Sequence, residues 1–224
     1  DFDQAAAAYY GIEHRLMQLI NTYKDPESRI KKMALLLKGR SLPELQAIAD
    51  TIPIAPYTRE TISRLKQNGY ISILLSDGFD VVANHIKNKL GFDYCFANHL
   101  IMEKSKATGA LEFPDFFTDP DEPGIHYNKA AILKYLTLNF NIPQKNIVFV
   151  GDQPEDIPML QSSGMGIVTP KAPSSVKLWA DKVLPGDSLK PLVGLINGDD
   201  KDRSAKNNSI KYLAGIGLIA ASAA

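Results

Sequence analysis

The sequence predicts an α/β fold, a parallel sheet wrapped by helices, with a small helical module ahead of most of it. Apolar runs suited to buried strands alternate with helical periodicities from about residue 57 onward, and several of those helices are stopped by a glycine. The stretch 5–56 reads as helical, broken at Lys24-Asp25-Pro26, at Gly39 and at Ser41-Leu42-Pro43. With 224 residues, 45% of them apolar, the chain can bury a sizeable core, as one domain with a large insertion or as two small ones.

Each element has its own signal. Ala8, Ile12, Leu16 and Ile20 recur every four residues and predict one apolar helical stripe. Asp25 and Pro26 open a second helix, with Ile30, Met33, Ala34 and Leu37 on one face until Gly39. Ser41 caps a third, carrying Leu45 and Ile48. Beyond Pro56, a helix over 58–67 ends at Gly69 and precedes the apolar run Ile71 to Leu75, which suits a buried parallel strand. A helix over 79–90 stops at Gly91, followed by a short strand at 94–97 and a hairpin over 100–112 turning near Ser105 to Gly109. A loop rich in Pro and Asp over 114–124 leads to a helix over 128–140. A strand at 147–150, a helix over 155–161 and a strand at 166–168 complete the alternation. The stretch 198–208 is polar, and 209–224 is mildly apolar but short of the roughly 20 residues that span a bilayer.

Composition narrows the function. Lys+Arg and Asp+Glu balance at 25 each, with no long basic run, which argues against nucleic acid as a partner. The single cysteine, Cys95, excludes an intrachain disulfide framework or a cysteine-based zinc site. His14, His85, His99 and His126 form no metal-binding pair. A membrane partner is not expected, and the chain opens on no signal peptide, so a cytoplasmic location is the expectation.

Four elements carry candidate chemistry: Asp1-Phe2-Asp3, Ser76 after the strand 71–75, Lys129, and Gly151-Asp152 with Asp156 four residues on. If the strand carboxyl ends converge, Asp1, Asp3, Asp152 and Asp156 meet with one lysine and one serine. Clustered carboxylates repel one another, and a hard cation such as Mg²⁺ would offset that charge with oxygen ligands. A cation and an ammonium around a nucleophilic carboxylate suit phosphoryl transfer. On an extended segment, Asp1 and Asp3 would leave the same face. Read singly, each motif has an ordinary explanation: a surface turn for the first, a helix cap for Asp152, a strand-ending cap for Ser76 and a solvated helix residue for Lys129.

Taken in order, these residues resemble the haloacid dehalogenase superfamily of phosphatases, in its phosphoserine phosphatase-like branch. Asp1-Phe2-Asp3 resembles the first motif, Leu75-Ser76-Asp77-Gly78-Phe79 the second, Lys129 the third and Gly151-Asp152-Gln153-Pro154-Glu155-Asp156 the fourth. Ala97-Asn98-His99-Leu100 with Thr108-Gly109 is also similar to this branch. The resemblance implies a Rossmann-like core from 1–4 and 57–197, a helical cap at 5–56, and a flexible or weakly apolar tail at 198–224. It implies a phosphomonoester hydrolase acting on a small phosphorylated metabolite. Asp1 would be the nucleophile and Asp3 the acid/base; Asp1, Asp3 through its carbonyl, and Asp152 would hold Mg²⁺, supported by Asp156. Ser76, Asp77, Gly78 and Lys129 would surround the phosphoryl group.

The chain departs from the branch in specific places. Gln4-Ala5 stands where small hydroxyl residues are usual, Asp77 where Gly is common and Glu155 where Asn is usual. Asp77 is expected to point away from the phosphate. In the cap, Tyr10 falls on the branch's amino-binding Glu and Met33 on its carboxylate-binding Arg. Glu13, Arg29 and Lys32 lie about one turn away and could replace them, although a chance basic face is the preferred explanation of Arg29 and Lys32. The pattern also places an apolar strand before the nucleophile, so about five or more upstream residues are expected to be lacking and the sheet to miss an interior strand. A catalytically weak or inactive relative that binds a ligand or partner is the alternative reading.

Overall fold

In the computed structural model, residues 1–119, 121, 128–197 and the backbone of 211–216 are described. The end of the expected 114–124 loop beyond Asp121, and the tail at 198–210 and 217–224, lie outside them.

Four helices come first: α1 (Phe2–Tyr10), α2 (Glu13–Thr22), α3 (Pro26–Leu36) and α4 (Leu42–Asp50). The stripe expected along one helix is split between α1 and α2, because Gly11 adopts φ 64° and its N–H closes α1 on the carbonyls of Ala7 and Ala8. Phe2, Ala6 and Ala7, rather than Ala8, are therefore the buried residues of α1. The Asp25 carboxylate caps α3, and Ser41 with Glu44 forms a reciprocal capping box on α4.

The core continues as α5 (Thr58–Gln67), β1 (Tyr70–Phe79), α6 (Asp80–Leu90), β2 (Tyr94–Glu103) and β3 (Lys106–Glu112). Then follow α7 (Ala131–Phe140), β4 (Ile147–Gly151), α8 (Ile157–Ser162), β5 (Met165–Val168), α9 (Ser174–Lys177), β6 (Lys182–Val183), α10 (Leu192–Asn197) and β7 (Lys211–Ile216). The hairpin between β2 and β3 turns through Lys104 and Ser105, both at positive φ.

The strands form one sheet in the order β3-β2-β1-β7-β4-β5-β6, parallel except for the β2–β3 pair. The expected gap in the interior is filled. Residues 211–216, read from sequence as part of a flexible or weakly apolar tail, pair on one side with β1, Ile73 opposite Ala214, and on the other with β4, Phe149 opposite Ala214.

Two apolar layers sandwich the sheet. On one face Phe79, Leu74, Val82 and Ile86 join Ile30, Met33, Leu45 and Ile48 of the helical cap in a continuous core. On the other, Leu75, Phe149, Ile132, Leu136 and Met159 pack under α7 and α8. The cap rests on the core through α3 against β3 and α4 against α6. Among the described residues, no helix is long and apolar enough to cross a membrane.

Candidate active site

The carboxyl ends of β1 and β4 carry two of the candidate motifs, one on either side of β7. At the end of β1 the register shifts between Leu75 and Phe79, lifting Ser76, Asp77 and Gly78 out of regular pairing. Buried Asn98 on β2 holds this turn by donating to the carbonyl of Asp77 at 2.8 Å and, at 3.3 Å, to that of Gly78. The Ser76 hydroxyl accepts the Gly78 N–H at 3.1 Å.

After β4, the Asp156 carboxylate folds back under the turn. Its Oδ2 accepts the backbone N–H groups of Asp152 at 2.9 Å and Gln153 at 3.0 Å. Gly151 makes this possible, since a Cβ there would lie 2.5 Å from Asp156 Oδ2. The other oxygen, Oδ1, accepts from Lys129 Nζ at 2.6 Å. Lys129 also donates to Asp77 Oδ2 at 3.1 Å. Lys129 and Asp156 are both buried, whereas the Asp77 side chain is 49% exposed. Burial alone would lower the Lys129 pKa, but Asp77 and Asp156 outweigh it and hold the ammonium above its ordinary value.

Asp77 was expected to point away, and the structure corrects this. Its carboxylate turns inward because the only way to bury the Lys129 ammonium is to surround it with acceptors.

A cavity of about 350 Å³ opens over this cluster. The core lines it with Asp77, Asn128, Lys129, Glu155 and Pro158, α1 contributes Asp3, and α3 roofs it with Pro26, Arg29 and Ile30. Burial pushes the Asp3 carboxyl up to about 6, and the Asp77 carboxylate adds to that shift against the pull of Arg29. Arg29 donates to the Lys24 carbonyl at 3.2 Å, while its Nε is buried without a hydrogen-bond partner among the described residues.

The first motif is not extended. Asp1 is the N-cap of α1, its exposed carboxylate accepting the Gln4 N–H at 2.8 Å, and Asp3 lies within the helix. Phe2 draws the segment into this turn by packing edge-on against Phe79, with ring centroids 6.5 Å apart. Asp1 and Asp3, two positions apart on a helix, therefore leave on different faces, and only Asp3 reaches the cavity lining.

The carboxylates expected to hold Mg²⁺ are engaged elsewhere, that of Asp1 by the Gln4 N–H and that of Asp152 by Gln153 and Thr169. Among the described residues no three His, Cys, Asp or Glu side chains come together to hold a metal. Asp156 serves Lys129 instead, and the two oxygens of Asp152 accept from the Gln153 amide at 3.0 Å and the Thr169 hydroxyl at 3.3 Å. This arrangement does not fit a Mg²⁺ site.

In the cap, Met33 is buried in the apolar core and does not line the cavity. Tyr10 lies under Arg40, whose guanidinium is 3.9 Å from its ring centroid, with the Tyr10 hydroxyl buried and without a partner among the described residues. Lys32 sits over the Tyr23 ring and Glu13 is exposed at the start of α2. Of Tyr10, Glu13, Arg29, Lys32 and Met33, the cap residues expected to bear on specificity, Arg29 alone lines the cavity. Sequence reasoning assigned no role to Asn128 or Thr169; adjacency to Lys129 was the only signal for the first, and nothing in the sequence marked the second.

Comparison with known proteins finds relatives of this sequence and fold. A phosphoserine phosphatase of Methanocaldococcus jannaschii is 34% identical over 141 residues, 63% of each chain. That of Archaeoglobus fulgidus is 29% identical over 167 residues, 75% of this chain and 46% of the relative. The chain thus spans less than two thirds of the length of these relatives. A crystal structure of phosphoserine phosphatase in its apo form superposes with a TM-score of 0.70 at 29% identity, covering 87% of this chain and 90% of the other. A phospho-aspartyl intermediate analogue of phosphoserine phosphatase gives 0.69 at 27% identity, covering 87% and 91%. The family model of the haloacid dehalogenase-like hydrolases matches residues 8–164, a span that takes in the second, third and fourth motifs. With well over half of its length matched and the strand-end motifs in their expected order, the chain belongs to the haloacid dehalogenase-like hydrolases.

Proposed function

We propose that this protein is a phosphomonoester hydrolase acting on a small phosphorylated metabolite through an aspartyl-phosphate on Asp1. The observation that carries the acid and phosphate-binding parts of this reading is the shared cavity of Asp3 and Lys129, where a carboxyl held near pKa 6 faces the same space as an ammonium held charged; Asp1, outside that lining, is assigned the nucleophile by the order of motifs. Phosphoryl transfer needs both a proton donor and a positive group for the phosphate oxygens. One Asp1 oxygen accepts the Gln4 N–H, and the other is the proposed nucleophile. It forms a bond to phosphorus as the ester P–O bond breaks, and Asp3 gives its proton to the leaving oxygen. Asp3 then takes a proton from water, whose oxygen attacks the phosphorus of the acyl phosphate. Inorganic phosphate leaves and the Asp1 carboxylate is restored.

Mg²⁺ comes to this chain through family resemblance alone, and no step is derived through it. The relatives named phosphoserine phosphatase make L-phosphoserine the first ester to test. Tyr10 and Met33, at the positions that would recognise its amino and carboxylate groups, do not line the cavity. Away from Asp3, Asp77 and Lys129 the walls are Pro26, Ile30, Ala130 and Pro158 with Arg29, Asn128 and Glu155 among them, which suits an ester with a partly apolar body and an acceptor for Arg29. We therefore expect L-phosphoserine to rank below the best ester of a metabolite panel.

The exposed position of Asp1 favours a second reading, a ligand-binding relative without turnover. Phosphate release from para-nitrophenyl phosphate, with and without Mg²⁺, separates the two. Turnover that disappears in both Asp1→Asn and Asp3→Asn is the expected result. Undiminished release by Asp1→Asn would overturn the assigned nucleophile, and absence of turnover in every condition would leave the ligand-binding reading.

A further inference from the structure

The contact between Asp77 and Lys129 presents a difficulty for any phosphate-binding enzyme, because the ammonium meant for the substrate already holds a carboxylate. Lys129 has three N–H donors, and Asp156 and Asp77 each accept one of them. These two partners differ in how firmly they are held. Asp156 is buried, bonded to two backbone N–H groups and wedged beneath Gly151. Asp77 has its backbone fixed by Asn98, and its side chain, unlike that of Asp156, is half exposed. As a stabilising ion pair, so exposed a contact contributes little.

We propose that Asp77 is an internal competitor for the phosphate subsite, its carboxylate holding a Lys129 N–H donor for which a phosphoryl oxygen competes. This rests on the phosphatase reading and deepens it. Both occupants are oxyanions of similar reach, so the exchange replaces one charge-assisted bond by another and conserves the coordination of Lys129. The same exchange runs in reverse after hydrolysis: the carboxylate returns to the ammonium as inorganic phosphate departs. Asp77 thus raises the concentration of ester needed for saturation and speeds the escape of the product. Because the subsite already holds one negative charge, it also disfavours anions too weakly bound to expel it.

The test is calorimetric titration of the whole protein with inorganic phosphate, for the wild type, Asp77→Ala and Asp77→Asn. The thermal midpoint of each variant checks that the fold is intact. The expected result is phosphate binding about tenfold tighter in Asp77→Ala, equivalent to about 1.4 kcal/mol, with Asp77→Asn in between. Adding Lys129→Met to Asp77→Ala is expected to abolish the gain. Unchanged or weaker phosphate affinity in Asp77→Ala overturns the competition, and so does a gain that survives loss of Lys129. Hydrolysis of para-nitrophenyl phosphate is read separately. Tighter phosphate binding with no turnover in any variant would uphold the competition while refuting the phosphatase reading. Turnover with unchanged phosphate affinity would do the reverse.

Discussion

Replacing Lys129 by methionine keeps the length of the side chain and removes its charge. In the folded protein this leaves Asp156 buried at 1% exposure, with its Oδ1 deprived of the 2.6 Å bond that neutralises it. Breaking a buried ion pair by deleting one partner costs roughly 3–5 kcal/mol. Here the two backbone N–H bonds to Oδ2 survive, which places the expected loss at the lower end, about 3 kcal/mol. The loss of the half-exposed Asp77 contact adds less than about 1 kcal/mol. For a protein of this size each kcal/mol moves the thermal midpoint by about 2–4 °C, so a fall of roughly 6–12 °C is expected. Urea unfolding followed by circular dichroism supplies the free energy, and Lys129→Met combined with Asp156→Asn supplies the control. If the cost comes from a stranded charge, neutralising Asp156 recovers at least about 1 kcal/mol of it. A single variant within about 1 kcal/mol of wild type, or a double variant no more stable than the single, would refute the reasoning.

Three further outcomes follow from the same geometry. The fold holds the Asp3 proton up to about pH 6, whereas an unfolded chain releases it near 4. Between those values the folded state binds more protons, so this group's contribution to stability falls as pH rises through the window; in chelator, Asp3→Asn is expected to gain thermal stability relative to wild type at pH 7.5 and none at pH 4. A Tm difference independent of pH would contradict it. Gly151→Ala forces a methyl group onto Asp156 and is expected to cost about 1–3 kcal/mol in urea unfolding, with reduced phosphate binding; a neutral effect would show that the turn relaxes freely. Because Asp1, Asp152 and Asp156 already have oxygens engaged by protein donors, 1 mM Mg²⁺ is expected to move the midpoint of metal-free protein by less than about 1 °C, and a rise of several degrees would show that they turn to the cation when it is present.

Much of this fold is legible in the sequence because the signals are local. The Asp25 and Ser41 caps, the glycine stops and the apolar runs at Ile71 to Leu75 and Ile147 to Val150 each act within a few residues. The break at Gly11 was hidden because the four-residue recurrence of Ala8, Ile12, Leu16 and Ile20 runs straight through it. Strand β7 was missed for a different reason. Lys-Tyr-Leu-Ala-Gly-Ile has two small residues in its middle and little intrinsic preference for a strand, so its conformation comes from pairing on both edges. In the site, the order of motifs identified Asp3, Lys129, Asp77 and Asp156, but order does not give direction. The inward turn of Asp77 depends on the burial of a lysine fifty-two residues away, and the helical turn at Asp1 on where Phe2 finds an aromatic partner.

The central place of β7 bears on how the protein reaches its native state. Strands β1 to β3 and β4 to β6 share no ladder, so the sheet consists of two halves until β7 enters between them. Tyr70 must find Lys211, and Ile147 must find Tyr212, across long stretches of intervening chain. Those pairings carry a large loop-closure entropy. The apolar layers, by contrast, cross the divide: Leu74 and Phe79 share one cluster with Val148 and Val150, and Leu75 shares the other with Phe149. The spacing of Ser76 and Asp152 is therefore fixed twice over, by the backbone pairing of β7 with both neighbours and by the side-chain layers on either face.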